Sequence, residues 1–211
     1  VPLWEITVHS LKALIRYCLM WVEGWFDWAF GPKWNPTYCL GALGYFYFWI
    51  VGVSGLYLYI FMDSGIPASY LSVEYLTHDQ WWLGGVMRSL HRYASDAMVI
   101  MVALHIIREF AFDRYRGSRW FSWVTGVPML WLIIIAGITG YWLVWDMLAQ
   151  YVAIASTELL DWLPIFGEPI ARNFLATSHL DGRFFTLLIF LHIAVPLVLL
   201  FIMWLHLQRV G

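Results

Sequence analysis

Charge is scarce in this chain. Only 12% of its 211 residues are Asp, Glu, Lys or Arg, against about a quarter in an ordinary soluble domain. With 62% hydrophobic residues, that scarcity excludes a water-soluble domain and predicts a membrane protein whose length suits one compact bundle. There is no basic run and the formal net charge is -2, so nothing points to nucleic acid as a partner. The two cysteines, Cys18 and Cys39, provide neither a disulfide framework nor a four-thiolate metal site within the chain. What the chain has in excess is tryptophan. Fifteen of them fit the aromatic belts where indole rings sit at the level of lipid headgroups.

Four segments are apolar enough to span, since about 20 residues cover the hydrocarbon core. They are roughly 39–62, 86–111, 120–145 and 184–207. Backbone groups must pair internally in lipid, so all four are expected to be helices. Residues 4–30 mix Lys12 and Arg16 with many aromatics and read as an amphipathic helix lying in the interface. The link 147–183 contains "LPIFGEPIARNF", whose Pro and Gly break it into short interfacial helices. The expected fold is therefore all-α: a transmembrane four-helix bundle over 39–211, preceded by an interfacial segment over 1–38. Lys12, Arg16, Lys33, Arg114, Arg116, Arg119 and Arg209 fall on one side of the spans. The other side holds Arg172 and Arg183 against many acids: Asp63, Glu74, Asp79, Glu158, Asp161 and Glu168. That asymmetry predicts both termini in the cytoplasm, in a bacterial inner membrane.

The second span is "RSLHRYASDAMVIMVALHIIR". His91 and His105 are 14 residues apart, close to four helical turns, so they share a face about 21 Å apart along the axis. His192 and His206 in the fourth span repeat the spacing. In an up-and-down bundle the second and fourth helices run parallel, which sets His91 opposite His192 and His105 opposite His206. Bundles build cofactor sites from facing helices, and histidine is a standard axial ligand of haem iron. The pattern predicts two haems. Arg88 and Arg108, one turn outside each ligand, are candidate partners for haem propionates, because ionisable residues within a membrane normally mark function. Gly41 and Gly55 in the first span, and Gly126 and Gly140 in the third, are also 14 apart. Glycine removes side-chain bulk where a flat macrocycle must come close to a backbone. Taken singly, each histidine could instead be a proton relay or a helix–helix hydrogen bond, and each glycine pair a packing contact. His9, His78 and His179 lie in interfacial or link positions and are not expected to be ligands.

Several stretches resemble the N-terminal, four-helix part of the cytochrome b/b6 family, the membrane core of quinol:cytochrome c and quinol:plastocyanin oxidoreductases. "GGVMRSLH" and "LHIIR" resemble the family's second helix, and "LHIAVPLVLLFIMWLH" its fourth, with a proline four residues after the first ligand. "GITGYWLVWD" resembles the third-helix end that borders the outer quinol site, and "LPIFGEPIARNF" the interfacial region of the third-to-fourth link. The resemblance implies that His91 and His192 ligate an outer, low-potential haem b, and His105 and His206 an inner, high-potential one. Three departures stand out. Arg183 and Phe184 sit nine and eight residues before His192, where the family usually has an Arg-Phe pair about five before. Leu143, Val144, Trp145 and Asp146 replace the family's frequent Pro and Gly after the third-helix Leu. The chain stops after the fourth span, so the family's later helices are expected on another subunit or not at all.

The resemblance implies a dihaem membrane cytochrome that carries electrons across the bilayer between quinol or quinone sites and redox partners in a cytochrome bc- or b6f-like complex. Expected partners are a Rieske-type or other iron–sulfur protein, a c-type cytochrome, a companion membrane subunit and lipid. Positional candidates for quinone contact are Tyr141 and Asp146 on the outer face, and Arg16 and Arg209 on the inner. Cys39, two residues before Gly41, resembles a b6 position that attaches a third haem by one thioether; a small apolar residue at a helix start is the plainer reading. Two other functions remain open at this point: a haem b quinone-reacting anchor of a different respiratory dehydrogenase or reductase, and a proton-coupled transporter that uses the histidines as a relay.

Overall fold

The computed structural model describes residues 3–164 and 182–208. Seven α-helices account for most of them: α1 Leu3–Phe30, α2 Leu40–Phe61, α3 Ala68–His78, α4 Val86–Ala111, α5 Trp120–Val144, α6 Met147–Asp161 and α7 Gly182–Leu207. No strand occurs among the described residues. This is the all-α architecture expected when backbone polar groups must be satisfied without water. The region around "LPIFGEPIARNF" lies almost wholly outside the described residues, as do His179 and Arg209.

Three stretches are long and apolar enough to cross a membrane by composition alone: Pro32–Phe61, Gly117–Val144 and Phe184–Leu207. Helix α4 is long enough, at 26 residues. It does not qualify on apolarity, because Arg88, His91, Arg92, Asp96, His105 and Arg108 all lie on it. Its polar side chains therefore have to be accounted for by what they hold.

Helix ends follow local chemistry. Asn35 caps the short turn Pro36–Cys39 that leads into α2: its side chain accepts from the Thr37 amide at 2.9 Å. Asp146 caps α6 by accepting from the Ala149 amide at 2.7 Å. This cap removes one of the orphan donors of a helix start. Asp113 (φ 58°) and Trp145 (φ 53°) take the left-handed conformation just past α4 and α5. Asp tolerates that region locally; a bulky Trp there costs about 1–2 kcal/mol and must be held by its surroundings. Helix α3 lies in the link between the first two spans, and the 15-residue α6 of the 147–183 link is longer than the short interfacial helices expected there. Before α4, Trp81–Gly85 form a π turn whose Gly84 approaches α3 so closely that a β-carbon would lie 2.7 Å from the Leu76 carbonyl.

The chain divides into two compact units, and the division falls within α2, α4, α5 and α7. One unit gathers residues up to 50, 93–131 and from 200 on. Here α1 is tied to the end of α4 by polar contacts. Lys12 is almost fully buried; its ammonium reaches Asp113 and Tyr115 and lies 4.6 Å from the Phe110 and Tyr115 ring centres. Burial works against the Lys12 charge, but the hydrogen bonds to Asp113 and Tyr115 outweigh it and hold the ammonium above its ordinary range. The bond from Lys12 holds the Asp113 carboxyl below its ordinary range. Arg16 donates to the Ala111 carbonyl at 2.6 Å and to Asp113 at 2.9 Å. Arg108, 8% exposed, donates from Nε to Glu23 at 2.7 Å, with Glu109 3.7 Å from its Nη1. The opposite face of α1 leaves Leu14, Tyr17, Trp21, Trp25 and Trp28 exposed, as suits a helix lying against lipid.

The other unit gathers residues 51–92 and 132–199. Its core joins Leu143, Trp145, Ala153, Phe184, Phe185 and Leu188 from α5, the turn after it, α6 and α7. Trp145 packs edge-on against Phe184 and Phe185, with ring centroids at 5.6 and 5.1 Å. Ser69 donates to the Leu143 carbonyl, which fixes α3 against the end of α5.

Candidate functional site

Within the second unit, His91 of α4 and His192 of α7 face each other with ring centroids 6.1 Å apart and planes inclined at 68°. Neither ring is simply packed against lipid-facing side chains. His91 Nδ1 lies 3.0 Å from the Val51 carbonyl, and His192 Nδ1 lies 3.0 Å from the Ala136 carbonyl. A carbonyl can only accept, so Nδ1 carries the proton in both rings and Nε2 keeps its lone pair.

Each of these carbonyls belongs to the residue four before a glycine. Gly55 follows Val51 by four positions and Gly140 follows Ala136 by four. A β-carbon on Gly55 would stand 2.8 Å from His91 Cε1, and one on Gly140 would stand 2.5 Å from His192 Cε1. Only glycine leaves a gap in the helix surface through which an imidazole edge reaches the backbone. At these glycines the histidine rings themselves come closest to the backbone.

The first unit repeats the plan. A β-carbon on Gly41 would lie 3.3 Å from His105 Cε1, and one on Gly126 would lie 3.3 Å from His206 Cε1. His206 also hydrogen-bonds the Ser122 backbone, again four residues before its glycine. His105 and His206 lie close enough to interact electrostatically. Each histidine pair, with its glycine pair, falls inside a single unit.

Both residue sets fit a haem. Two metal–nitrogen bonds of about 2 Å, plus about 1 Å from each ring centre to its nitrogen, would put facing imidazole centroids roughly 6 Å apart, in line with the distance across His91 and His192. The anchored Nδ1–H and free Nε2 are the usual arrangement of a metal-bound histidine. No group of three or more His, Cys, Asp or Glu that could hold a metal ion occurs among the described residues, as suits a two-histidine site.

The remaining sequence candidates are distributed less simply. Arg88 donates to the Thr77 hydroxyl at 2.7 Å, one turn from His91. Arg108 is engaged by Glu23 and stacks over Tyr38 and Phe112 at 5.4 and 5.1 Å, so a propionate there would share it with a carboxylate of this chain. Asp146, besides capping α6, lines an open cavity of about 470 Å³ with Tyr70, Trp145, Met147, Leu148 and Gln150. Tyr141 is exposed on α5, one residue past Gly140. Arg16 is committed to Ala111 and Asp113. Cys39 is an exposed free thiol at the end of the turn before α2.

Three residues next to the site were not singled out by sequence reasoning. Ser54, Thr125 and Thr139 each immediately precede one of the four glycines, and their hydroxyls lie 3.4, 3.1 and 3.3 Å from Nδ1 of His91, His206 and His192. The signal was visible as "SG" or "TG" at three of the four glycine positions, with Leu40 standing before Gly41.

Comparisons with known proteins bear on the family and the fold. The family model for cytochrome b/b6/petB matches residues 26–210. A cytochrome b6 from Porphyra purpurea is 32% identical over 141 residues, which covers 67% of this chain and 65% of that protein. A solved chain titled "Hyperthermophilic respiratory Complex III" superposes with a TM-score of 0.72 at 22% identity, covering 82% of this chain and 47% of its own length. The chain therefore spans just under two thirds of the curated relative and about half of the structural one, and the structural match establishes a shared fold. On these grounds the chain is an integral membrane protein and belongs to the cytochrome b/b6 family.

Proposed function

We propose that this chain is a dihaem b subunit that carries electrons across a bilayer, between quinol or quinone sites and redox partners, in a bc- or b6f-like complex. The observation that carries the reading is the opposed pair His91 and His192, 6.1 Å apart, with both Nδ1 atoms on backbone carbonyls and both Nε2 atoms free to bind metal. The same glycine seats beneath His105 and His206 support a second haem. When bound, haem b supplies one-electron chemistry with a potential set by its ligands and their surroundings. The chain's own residues orient the ligands, exclude water and offer cationic groups, of which Arg88 is the better placed.

Quinone contact is proposed at Asp146 and Tyr141, supported by the cavity that Asp146 lines. Arg16 and Arg209 are the corresponding proposals for the inner side. A quinone at Arg16 would compete with Asp113 for the guanidinium. A Rieske-type or other iron–sulfur protein, a c-type cytochrome and a companion membrane subunit are the proposed partners. Cys39 is the proposed attachment point of a third haem; haem that survives acid–acetone extraction would establish it, and complete extraction would remove it.

The main reading is tested by the pyridine haemochrome and the reduced-minus-oxidised spectrum of the protein in its native membrane. Two haems per chain and a sharp α-band are expected. His192→Leu should remove one component and leave the other. A wild-type protein without the band would end the haem reading and favour a proton-coupled transporter.

A further inference from the structure

The three hydroxyls beside the histidine rings have a defined hydrogen-bond direction. Ser54 donates to the Val51 carbonyl at 3.1 Å. Thr125 donates to Phe121 and Ser122 carbonyls at 2.8 and 3.2 Å. Thr139 donates to Ile135 and Ala136 carbonyls at 2.9 and 3.1 Å. A hydroxyl has one proton and two lone pairs. With the proton given to its own helix, each oxygen can only accept from the neighbouring ring. The Nδ1–H of His192 is then shared between the Ala136 carbonyl and Thr139, and that of His91 between the Val51 carbonyl and Ser54, as three-centre bonds. His206 is shared likewise between Thr125 and the Ser122 backbone.

The distribution is unequal. The His91–His192 site has a hydroxyl on each ligand. The His105–His206 site has one, because the residue before Gly41 is Leu40, which has no polar side-chain atom. A hydrogen bond drawn from Nδ1–H raises the basicity of the ligating nitrogen, and a more basic ligand favours the oxidised iron over the reduced one.

We propose that Ser54, Thr125 and Thr139 are positioning residues that tune the two haems apart, the extra hydroxyl at His91–His192 holding that haem at the lower potential. This rests on the dihaem reading above.

The test is a redox titration of the haem absorbance, with the protein in its native membrane, for wild type and for Thr139→Val, Thr139→Ser, Ser54→Ala and Thr125→Val. Valine keeps the branched shape and removes the acceptor. Thr139→Val and Ser54→Ala should each raise the midpoint of the lower-potential component and leave the higher one in place. Thr125→Val should raise the other component only. Thr139→Ser should restore the wild-type value, which a purely steric role would not do. If Thr139→Val loses its haem, Ser54→Ala and Thr125→Val, at separate rings, still decide the matter. Midpoints unmoved by Ser54→Ala and Thr125→Val, or both components moving together, would overturn the proposal. Absence of haem from the wild type would instead defeat the reading on which it rests.

Discussion

Gly140→Ala puts a single methyl group against a single ring and so isolates the seat of His192. The added carbon would stand 2.5 Å from Cε1, 3.1 Å from Nδ1 and 3.2 Å from Nε2 of that ring. Comfortable carbon–carbon contact begins near about 3.5 Å, so roughly an ångström has to open. Two effects oppose each other. Alanine in place of a mid-helix glycine stabilises α5 by up to about 1 kcal/mol. Against it, the ring is held by the 3.0 Å bond to the Ala136 carbonyl and cannot retreat without losing it. That bond contributes about 1 kcal/mol, and forcing a methyl into a filled site typically costs about 1–3 kcal/mol more. The losses exceed the gain. They fall on a histidine that the proposed function makes a haem ligand oriented by that carbonyl, and removing such support lowers metal affinity by about 10–100-fold.

Gly126→Ala is the internal comparison. Its β-carbon would meet His206 Cε1 at 3.3 Å, so a shift of a few tenths of an ångström relieves it and the gain in helix propensity offsets the strain. The expected order of haem loss is Gly140, then Gly55 at 2.8 Å, then Gly41 and Gly126 together. The measurement is haem per chain and the redox difference spectrum after solubilisation, with far-ultraviolet circular dichroism to confirm that helix content is unchanged. A Gly140→Ala protein with its full haem complement, or a Gly126→Ala protein more damaged than it, would refute the steric argument.

Other outcomes follow from contacts elsewhere. Glu23→Leu strands the buried Arg108 charge with only Glu109 near it, so it should destabilise the protein by about 3 kcal/mol, at the low end for a broken buried pair; the Glu23→Leu, Arg108→Leu double variant should have a higher thermal midpoint than the single one. The unfolded Asp113 carboxyl titrates near 3.8 and the folded one lower, so its hold on α1 is present above that pH and fades as pH falls through the folded value. Lys12 has the opposite sign: its contribution is complete below 10.5 and lost as pH rises beyond it. The protection of α1 amides, relative to intrinsic exchange at each pH, should therefore fall at both extremes, and Asp113→Asn should abolish the acid limb. Trp145→Ala should cost about 3–5 kcal/mol through lost packing on Phe184 and Phe185. Because residue 145 is left-handed, Trp145→Gly should be no less stable than Trp145→Ala, reversing the usual order of those two residues in chemical denaturation.

The long helices were legible because lipid leaves the backbone almost no alternative. The span expected at 86–111 is α4 Val86–Ala111, and that expected at 120–145 is α5 Trp120–Val144. The helices of the links were legible only in part: short interfacial helices were expected within 147–183, where α6 lies, while α3 was not anticipated. Helix α3 starts at Ala68, after a Pro67 that offers no side-chain cap, so that local signal does not mark it. Helix α6 does carry a cap, Asp146, but an acid at that position near a presumed quinone site reads more readily as chemistry than as a helix start. The Glu23 partner of Arg108 was out of reach of the sequence for a related reason. An arginine near a membrane-embedded ligand looks like a partner for an anionic cofactor, and its actual carboxylate, Glu23, is 85 residues away in sequence, beyond any periodicity argument.

The histidines and glycines were found from a shared spacing of 14, yet the spacing alone left their relationship open. The geometry supplies it. A helix presents its backbone carbonyls beneath the side chain four residues on, so a glycine at position i exposes the carbonyl of i−4 to a neighbour. An imidazole that docks there is oriented by the carbonyl on one nitrogen and turned outward on the other. His91 with Gly55 and Val51, and His192 with Gly140 and Ala136, are two realisations of that rule on different helices. A hydroxyl at i−1 then stands beside the same ring nitrogen and adds a second acceptor without changing the backbone. The informative unit in such a sequence is thus not the histidine or the glycine but the triplet of carbonyl, hydroxyl and glycine on one helix matched to a histidine on another. Its one incomplete copy, at Leu40 and Gly41, is where the two histidine pairs of this chain differ in their hydroxyl neighbours.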